Sequence, residues 1–235
     1  MMQSPLANIS PVVKNLLIIN VICFLPYWLF NPALVNTIYN LGSAHYFGSQ
    51  LFKPWQPITY MFLHGDEWHI IFNMFALYSF GNIIEYNMGS KRFIMFYFIC
   101  GIGGLLGQWL VQAIEFYHYT GAFVVTDSLV VQSLEAFQKA QEINRSTMVG
   151  ASGAIFGVLV AFGMLYPNAE LMIMFIPVPV KAKYIIPVYI VIELTLGLGQ
   201  FKGDNVAHFA HLGGAILGFL LIKMWRLQRP DKYGY

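Results

Sequence analysis

Charged residues are scarce in this chain of 235 residues, at 10% of the sequence, whereas a soluble domain carries about 25%. Apolar residues make up 57% of the sequence. They cluster in blocks close to the roughly 20 residues that a helix needs to cross a bilayer. A soluble globular domain is therefore excluded, and we expect one integral membrane domain over residues 1–235, in contact with the lipid bilayer.

A strong charge imbalance and a cysteine framework are also missing. The formal net charge is +2, and the basic residues are scattered, which argues against nucleic acid as a partner. Cys23 and Cys100 both lie inside apolar blocks, where cysteine usually serves as a small hydrophobic residue, so we expect no disulfide. No A-x-A-like cleavage site follows the first apolar run, so we expect this run to be retained as a membrane span.

The apolar blocks predict an all-α fold, namely a compact polytopic bundle of six transmembrane helices. The predicted spans cover residues 12–30, 68–84, 93–114, 150–166, 184–198 and 206–224. The second, fourth and fifth spans are short for a full crossing, which is tolerated only where protein or water shields the backbone. We therefore expect a cavity inside the bundle.

Lysine and arginine predict the orientation, because cytoplasmic segments carry an excess of them. With the N-terminus inside, nine of the 13 basic residues fall in inner segments. The outer ones are Lys53, Lys139, Arg145 and Lys202. Both termini are therefore predicted to face the cytoplasm, and the membrane that we predict is a bacterial inner membrane.

Two outer connections and one inner connection are predicted. Residues 31–67 are too long for a tight turn, and we expect them in the outer interface, with Trp55 and Tyr60 at headgroup depth. Residues 119–148 contain apolar positions at helical spacing, which predicts a short amphipathic helix. Residues 171–184 are apolar over only about ten positions and are broken by two prolines, so they are predicted to form an inner loop.

Polar side chains inside the predicted spans are costly in hydrocarbon, so they indicate either tightly paired structure or a working site. His69 and Asn73 lie four residues apart in span two and project from one face of the helix. His208 and His211 lie three residues apart at the start of span six, and Ser152 lies at the start of span four. All three groups fall near the outer ends of their spans, which favours a shared site.

These residue types could together form a hydrolytic site. Ser152 would attack a carbonyl, a histidine of span six would take its proton, and His69 with Asn73 would donate hydrogen bonds to the oxyanion. Ser152 begins its helix, so its own backbone N–H adds a donor. Small residues allow spans four and six to approach closely. The two G-x-x-x-G pairs are Gly153 with Gly157 and Gly214 with Gly218.

Packing roles are the alternative for the same residues. A serine between small residues is common where membrane helices meet, and a histidine with an asparagine can join helices by hydrogen bonds. Glu193 in span five and Glu85 at the end of span two are interpreted as paired structural or interfacial groups. The convergence of Ser152 with polar residues of two other spans favours chemistry over packing.

The chain resembles the rhomboid intramembrane serine proteases in three motifs that occur in the same order. They are HIIFN at residues 69–73, GASGAIFG at residues 150–157 and AHLGGAILG at residues 210–218. The resemblance implies a compact six-helix bundle around a water-filled, hydrophilic cavity that opens to the outside. It also implies cleavage of transmembrane segments of other membrane proteins, which would enter past span five and residues 199–205 (GQFKGDN).

The resemblance implies a role for each motif residue. Ser152 is implied to be the nucleophile and His211 the general base and acid. His69, Asn73 and the backbone N–H of Ser152 are implied to form the oxyanion hole. The resemblance implies that no cofactor and no metal takes part.

Other positions are implied to support the site. Gly150 belongs to the loop that shapes the pocket, Phe156 packs against the catalytic imidazole, and His208 is the neighbour of the catalytic histidine. The family usually has a Trp-Arg pair in the outer loop where this chain has Trp55 and Gln56, so the local bonding of that loop is expected to differ.

Two other functions remain open. The first is a non-catalytic member of the same fold that binds membrane helices, although such relatives typically lack the serine or the histidine and this chain keeps both. The second is a transporter or metal-handling protein with a histidine cluster. Against it, the chain has no H-E-x-x-H motif and no acidic ligand pair inside the predicted spans. The cluster would contain His64, His69, His208 and His211.

Overall fold

The computed structural model describes residues 9–126, 131, 133–173, 176–199 and 206–229. Helices form most of this part of the chain. They are α1 (Pro11–Leu29), α2 (Pro32–Gly42), α3 (Gln56–Thr59), α4 (Glu67–Ala76), α5 (Asn82–Met88), α6 (Ser90–Thr120), α7 (Leu134–Arg145), α8 (Ser152–Leu165), α9 (Ala182–Gly199) and α10 (His208–Met224). The prediction of a mostly helical membrane protein is confirmed.

A helix lies in each of the six ranges predicted to span the membrane. Three of these helices, α1, α6 and α9, are long and apolar enough to cross a bilayer, and α8 and α10 are shorter apolar helices. The second range contains α4 and α5, joined by a π-helical turn at Leu77–Gly81. The six crossings therefore stay a prediction.

Four short strands depart from the all-α prediction. β1 (Ala44–His45) pairs antiparallel with β2 (Thr147–Met148), and β3 (Glu170–Ile173) pairs antiparallel with β4 (Ile176–Lys181). Residues 171–184 were predicted to form an inner loop and not a span; their described part contains β3 residues, β4 and the start of α9, and the inner location stays a prediction. Pairing gives the backbone polar groups of this segment partners that a loop of apolar residues would lack.

The segment between α1 and α4 contains buried polar side chains that form hydrogen bonds inside the protein. Tyr60 is buried inside the protein and its hydroxyl donates to the Gly101 carbonyl at 2.7 Å; its expected position at headgroup depth stays a prediction. Gln56 replaces the arginine usual at this position and is also buried. Its side-chain oxygen accepts from the backbone N–H of Lys53 at 3.0 Å and of His45 at 3.3 Å. The amide therefore ties this segment to β1.

The connection between α6 and α8 contains the predicted short helix as α7. The Ser133 hydroxyl caps its N-terminus by accepting from the Ala136 N–H at 3.1 Å. The buried residues Ala136, Ala140 and Ile143 recur at helical spacing on the side that contacts α6. At the proposed entry point for substrates, residues 200–205 lie outside the described residues, so that entry route stays a prediction.

Glu85 is a paired structural group, as the sequence indicated. Its carboxylate accepts from the backbone N–H groups of Val12 at 3.0 Å and Val13 at 2.9 Å, and from the Ser90 hydroxyl at 2.6 Å. A carboxylate at a helix N-terminus satisfies donors that have no partner within the helix. Glu85 therefore joins α5 to the starts of α1 and α6.

The centre of the molecule is the contact of α10 with α6 and α8. A Cβ built on Gly214 would lie 1.8 Å from the Gly153 carbonyl oxygen, and one built on Gly218 would lie 2.7 Å from the Gly157 Cα. Only glycine allows the two backbones to lie this close. Both G-x-x-x-G pairs therefore face each other, as predicted, and this contact brings the start of α8 to the start of α10.

Candidate active site

The turn before α8 sets the position of Ser152. Gly150 has φ of 125°, a conformation that residues with a side chain rarely adopt. Its N–H donates to the Tyr60 carbonyl at 2.9 Å. A Cβ at Gly150 would lie 2.7 Å from His69 Nε2 and 3.6 Å from Ser152 Oγ. A glycine is therefore required here, where the chain passes between the His69 ring and the serine hydroxyl.

The structure brings Ser152 and His211 together. The Ser152 hydroxyl lies 2.8 Å from His211 Nε2, although the two residues are 59 positions apart in sequence. The Phe156 ring stacks on the imidazole, with ring centroids 4.3 Å apart and an angle of 6° between the planes. The hydroxyl is within hydrogen-bond reach of a base, which proton transfer requires.

Glu193 is the site residue that sequence reasoning missed. Its Oε2 lies 2.8 Å from His211 Nδ1 and 2.6 Å from His208 Nδ1. The sequence contained one signal for it, an ionisable residue inside an apolar span. Because His208 and His211 lie on a different predicted span, 15 and 18 residues away, that signal did not identify them as its partners.

His69 and Asn73 lie on one face of α4, as predicted. His69 Nδ1 accepts from the Gly65 N–H at 3.3 Å, so the proton of the neutral ring is on Nε2. The Asp66 carboxylate caps α4 by accepting from the His69 N–H at 2.8 Å. Asn73 Nδ2 is buried and has no hydrogen-bond partner among the described residues. Both side chains therefore have an N–H group available for a ligand.

A cavity of about 560 Å³ lies over these groups. Most of the predicted site residues line it, whereas His208 lies outside this lining. The polar and small lining residues include His69, Asn73, Gly150, Ser152 and His211, and the aromatic ones include Tyr60, Trp68, Phe72 and Phe156. The cavity is large enough for an extended segment of a few residues beside the serine.

His64, which the sequence placed in the alternative histidine cluster, packs behind His69. It is fully buried, and the two ring centroids lie 5.1 Å apart with the rings edge to face. Burial lowers the pKa of His64 to about 3, because the charged imidazolium is costly away from water. A neutral ring at this position supports His69 without adding a charge to the site.

Glu193, His208 and His211 are also residue types that bind metals, and their donor atoms lie within 4.8 Å of one another. The N–O separations of 2.6 and 2.8 Å are hydrogen-bond lengths. Two ligand atoms on a tetrahedral zinc ion would lie about 3.3 Å apart, since each bond is about 2.0 Å. The cluster therefore has the geometry of a hydrogen-bonded network.

Comparisons with known proteins give the family. The family model for the rhomboid domain matches residues 51–227. The chain is 28% identical over 225 residues to the RHOMBOID-like protein 12, mitochondrial, of Arabidopsis thaliana. This matched region is 95% of this chain and 60% of the relative. It is 26% identical over 197 residues to the putative rhomboid protease YdcA of Bacillus subtilis, covering 84% of this chain and 77% of the relative.

A further relative is the rhomboid protease GluP of Bacillus subtilis, at 29% identity over 180 residues, which covers 77% of this chain and 28% of that protein. The chain thus spans less than two thirds of the length of several relatives. Because the relatives include a plant mitochondrial protein, the bacterial inner membrane stays a prediction. The rhomboid match covers most of the chain and includes all three motifs, so this chain belongs to the rhomboid family.

Proposed function

We propose that this chain is an intramembrane serine endopeptidase that cleaves peptide bonds in or near transmembrane segments of other membrane proteins. The observation that carries the proposal is the 2.8 Å contact between Ser152 Oγ and His211 Nε2, beside a cavity large enough for a peptide segment. Family membership supports the proposal, because GluP is named as a rhomboid protease and YdcA as a putative rhomboid protease.

The proposed arrangement in the bilayer has six crossings, with both termini in the cytoplasm and the cavity open to the outside. Water is a reactant in peptide hydrolysis, so a site inside the membrane needs such an opening. The polar groups at the starts of α4, α8 and α10 would line it. An irregular turn such as the one at Gly150 is tolerated at membrane depth where it lines a cavity.

In the first step, Ser152 Oγ attacks the carbonyl carbon of the scissile peptide bond while its proton moves to His211 Nε2. The C–O bond forms as the carbonyl π bond breaks, and the negative charge develops on the carbonyl oxygen. His69 Nε2, Asn73 Nδ2 and the backbone N–H of Ser152 are the donors for this oxyanion. Donors of this kind act most strongly where water is excluded.

In the second step, the tetrahedral intermediate collapses, the C–N bond breaks, and His211 gives its proton to the leaving amine. A water molecule then attacks the acyl carbon of the Ser152 ester and gives a proton to His211. The bond between that carbon and Oγ breaks, and His211 returns the proton to Oγ, which releases the acid and restores the serine. Apart from substrate and water, the proposed steps use side-chain and backbone groups of this chain. Since a helical substrate must unwind to expose its carbonyl, substrates with helix-breaking residues near the cleaved bond should be preferred.

A serine-directed fluorophosphonate tests the proposed function directly. We expect it to label wild-type protein in membranes at Ser152, because phosphonylation requires a hydroxyl activated by a base. Ser152→Ala should remain unlabelled, and peptide mapping should locate the adduct. Wild-type protein that binds a transmembrane segment but neither reacts with the probe nor cleaves the segment would instead favour a non-catalytic helix-binding protein.

Asn73→Ala is expected to lower kcat by about 10²- to 10³-fold with little change in KM, because the lost donor acts mainly on the oxyanion. Asn87→Ala is the matched control, since the Asn87 amide contacts the Tyr166 hydroxyl at 3.4 Å instead of the cavity. Cleavage of a transmembrane reporter segment in liposomes gives both constants. An Asn73→Ala enzyme with wild-type kcat and raised KM would show that Asn73 binds substrate only.

A further inference from the structure

We propose that Glu193 is a positioning residue for this site and that its carboxylate holds His211 in the tautomer and orientation needed to accept the Ser152 proton. This inference rests on the proposed function and extends the predicted serine–histidine pair by a third, acidic group on α9. Glu193 acts through His211 and does not contact the substrate.

The tautomer follows from the contacts of the imidazole. An ionised carboxylate only accepts hydrogen bonds, so His211 Nδ1 must carry a hydrogen to bond Glu193 Oε2 at 2.8 Å. In the neutral ring the other nitrogen, Nε2, then has its lone pair free. That nitrogen lies 2.8 Å from Ser152 Oγ. The carboxylate thus selects the form of His211 that can take the serine proton.

His208 holds the same carboxylate oxygen. Its Nδ1 lies 2.6 Å from Glu193 Oε2, so two imidazole N–H groups converge on one oxygen. The two rings are 6.3 Å apart and nearly perpendicular. Because the donors come from two directions, the oxygen is fixed more tightly than one bond would fix it. This gives His208 a role in holding Glu193.

The packing of α9 explains how the carboxylate reaches this position. Gly197 lies one turn after Glu193, and a Cβ there would be 3.1 Å from His208 Cβ, so the missing side chain lets α9 approach α10. The Glu193 side chain is only 13% exposed, whereas its neighbours Ile192 and Leu194 are 45% and 44% exposed. Glu193 therefore points inward from an otherwise exposed stretch of helix.

Burial of a carboxylate in a membrane span is costly unless it is paired. Two hydrogen bonds from imidazoles provide that pairing. A negative group on the far side of His211 also stabilises the imidazolium that forms when the serine proton arrives, while the carboxylate itself stays ionised. The hydrogen bonds from the imidazoles, and the attraction to the His211 imidazolium that forms during the proposed reaction, therefore offset the cost of burying the Glu193 carboxylate.

Glu193→Gln tests this role. Glutamine has nearly the same shape but no charge, and its amide group can donate to His211 Nδ1, which would favour the wrong tautomer. We expect kcat to fall by about 10²- to 10⁴-fold with KM nearly unchanged.

Glu193→Asp keeps the charge but is one methylene shorter, so its kcat should lie between those of Glu193→Gln and wild type. Thr195→Val, on the same helix, should match wild type, since among the described residues the Thr195 hydroxyl bonds to the Val191 carbonyl alone.

The measurements are kcat and KM for a transmembrane reporter segment, the fluorophosphonate labelling rate of Ser152, and the thermal unfolding midpoint of each variant. Wild type and Ser152→Ala are run alongside. A wild type that does not cleave, or a Ser152→Ala that cleaves equally well, would overturn the proposed function itself. If both behave as expected but Glu193→Gln keeps wild-type kcat, or changes KM alone, the positioning role is wrong.

A folding defect in Glu193→Gln would be seen in its unfolding midpoint, and Glu193→Asp then decides the question. Its kcat should lie at least about threefold below wild type at unchanged KM, because the shortened side chain cannot keep both imidazole contacts. Wild-type kcat in Glu193→Asp would overturn the proposal in that case.

Discussion

Ser152→Ala should abolish cleavage of a transmembrane reporter segment, with kcat falling by about 10⁴-fold or more. The hydroxyl is the only group of this residue that can form the covalent intermediate, and removing it leaves only substrate binding and oxyanion donors. The thermal unfolding midpoint should stay near that of wild type, because alanine fits where serine did. Thr195→Val is the control for loss of a hydroxyl, since the exposed Thr195 hydroxyl bonds to the Val191 carbonyl of its own helix.

The two histidines of α10 should separate in the same assay. His211→Ala should match Ser152→Ala, because it removes the base that lies 2.8 Å from the serine hydroxyl. His208→Ala should lose less than about tenfold in kcat, since Glu193 keeps its bond to His211 and loses only one of two donors. If the two variants change places, His208 is the base and the assignment of His211 is wrong.

The sequence allowed prediction of the residues whose position is set by local spacing. His69 and Asn73 share a helix face because they are four residues apart, and the G-x-x-x-G pairs of α8 and α10 meet because small residues leave room for it. The contact of Ser152 with His211 follows from that meeting. These spacings did not distinguish His211 from His208, and the family resemblance was needed to choose between them.

Glu193 and the β-strands could not be predicted in this way, because they depend on which segments become neighbours. The alignment of α9 against α10 decides whether Glu193 faces lipid or His211, and no spacing within α9 contains that information. In the same way, β1 pairs with β2 across about 100 residues. Tyr60 is buried with its hydroxyl bonded to the Gly101 carbonyl. The position of Tyr60 near a predicted interface does not indicate this contact.

Glycine packing and the chemistry of the site are linked through one pair of backbones. Gly153 follows Ser152, and Gly214 lies one turn after His211, so the point where α8 and α10 are closest is directly beside the proposed catalytic pair. A change in the distance between these helices is therefore transmitted to the Ser152–His211 contact. This makes Gly214 the position where a single methyl group should have the largest effect.

Gly214→Ala should destabilise the fold by more than about 3 kcal/mol and remove activity. The added Cβ would lie 1.8 Å from the Gly153 carbonyl oxygen and 2.6 Å from its carbon, and both are backbone atoms that cannot move aside without shifting α8. Gly163→Ala is the control on α8. Its Cβ would meet the flexible end of the Ile186 side chain at 2.8 Å, with the next atom at 3.6 Å, so a rotamer change can make room.

Thermal unfolding in detergent and the fluorophosphonate labelling rate together distinguish this packing effect from loss of chemistry. Gly214→Ala should lower both the unfolding midpoint and the labelling rate, whereas Ser152→Ala should lose labelling at an unchanged midpoint. Gly163→Ala should stay close to wild type in both. A Gly214→Ala protein that unfolds and labels like wild type would mean that α8 and α10 do not need this close contact to place Ser152 beside His211.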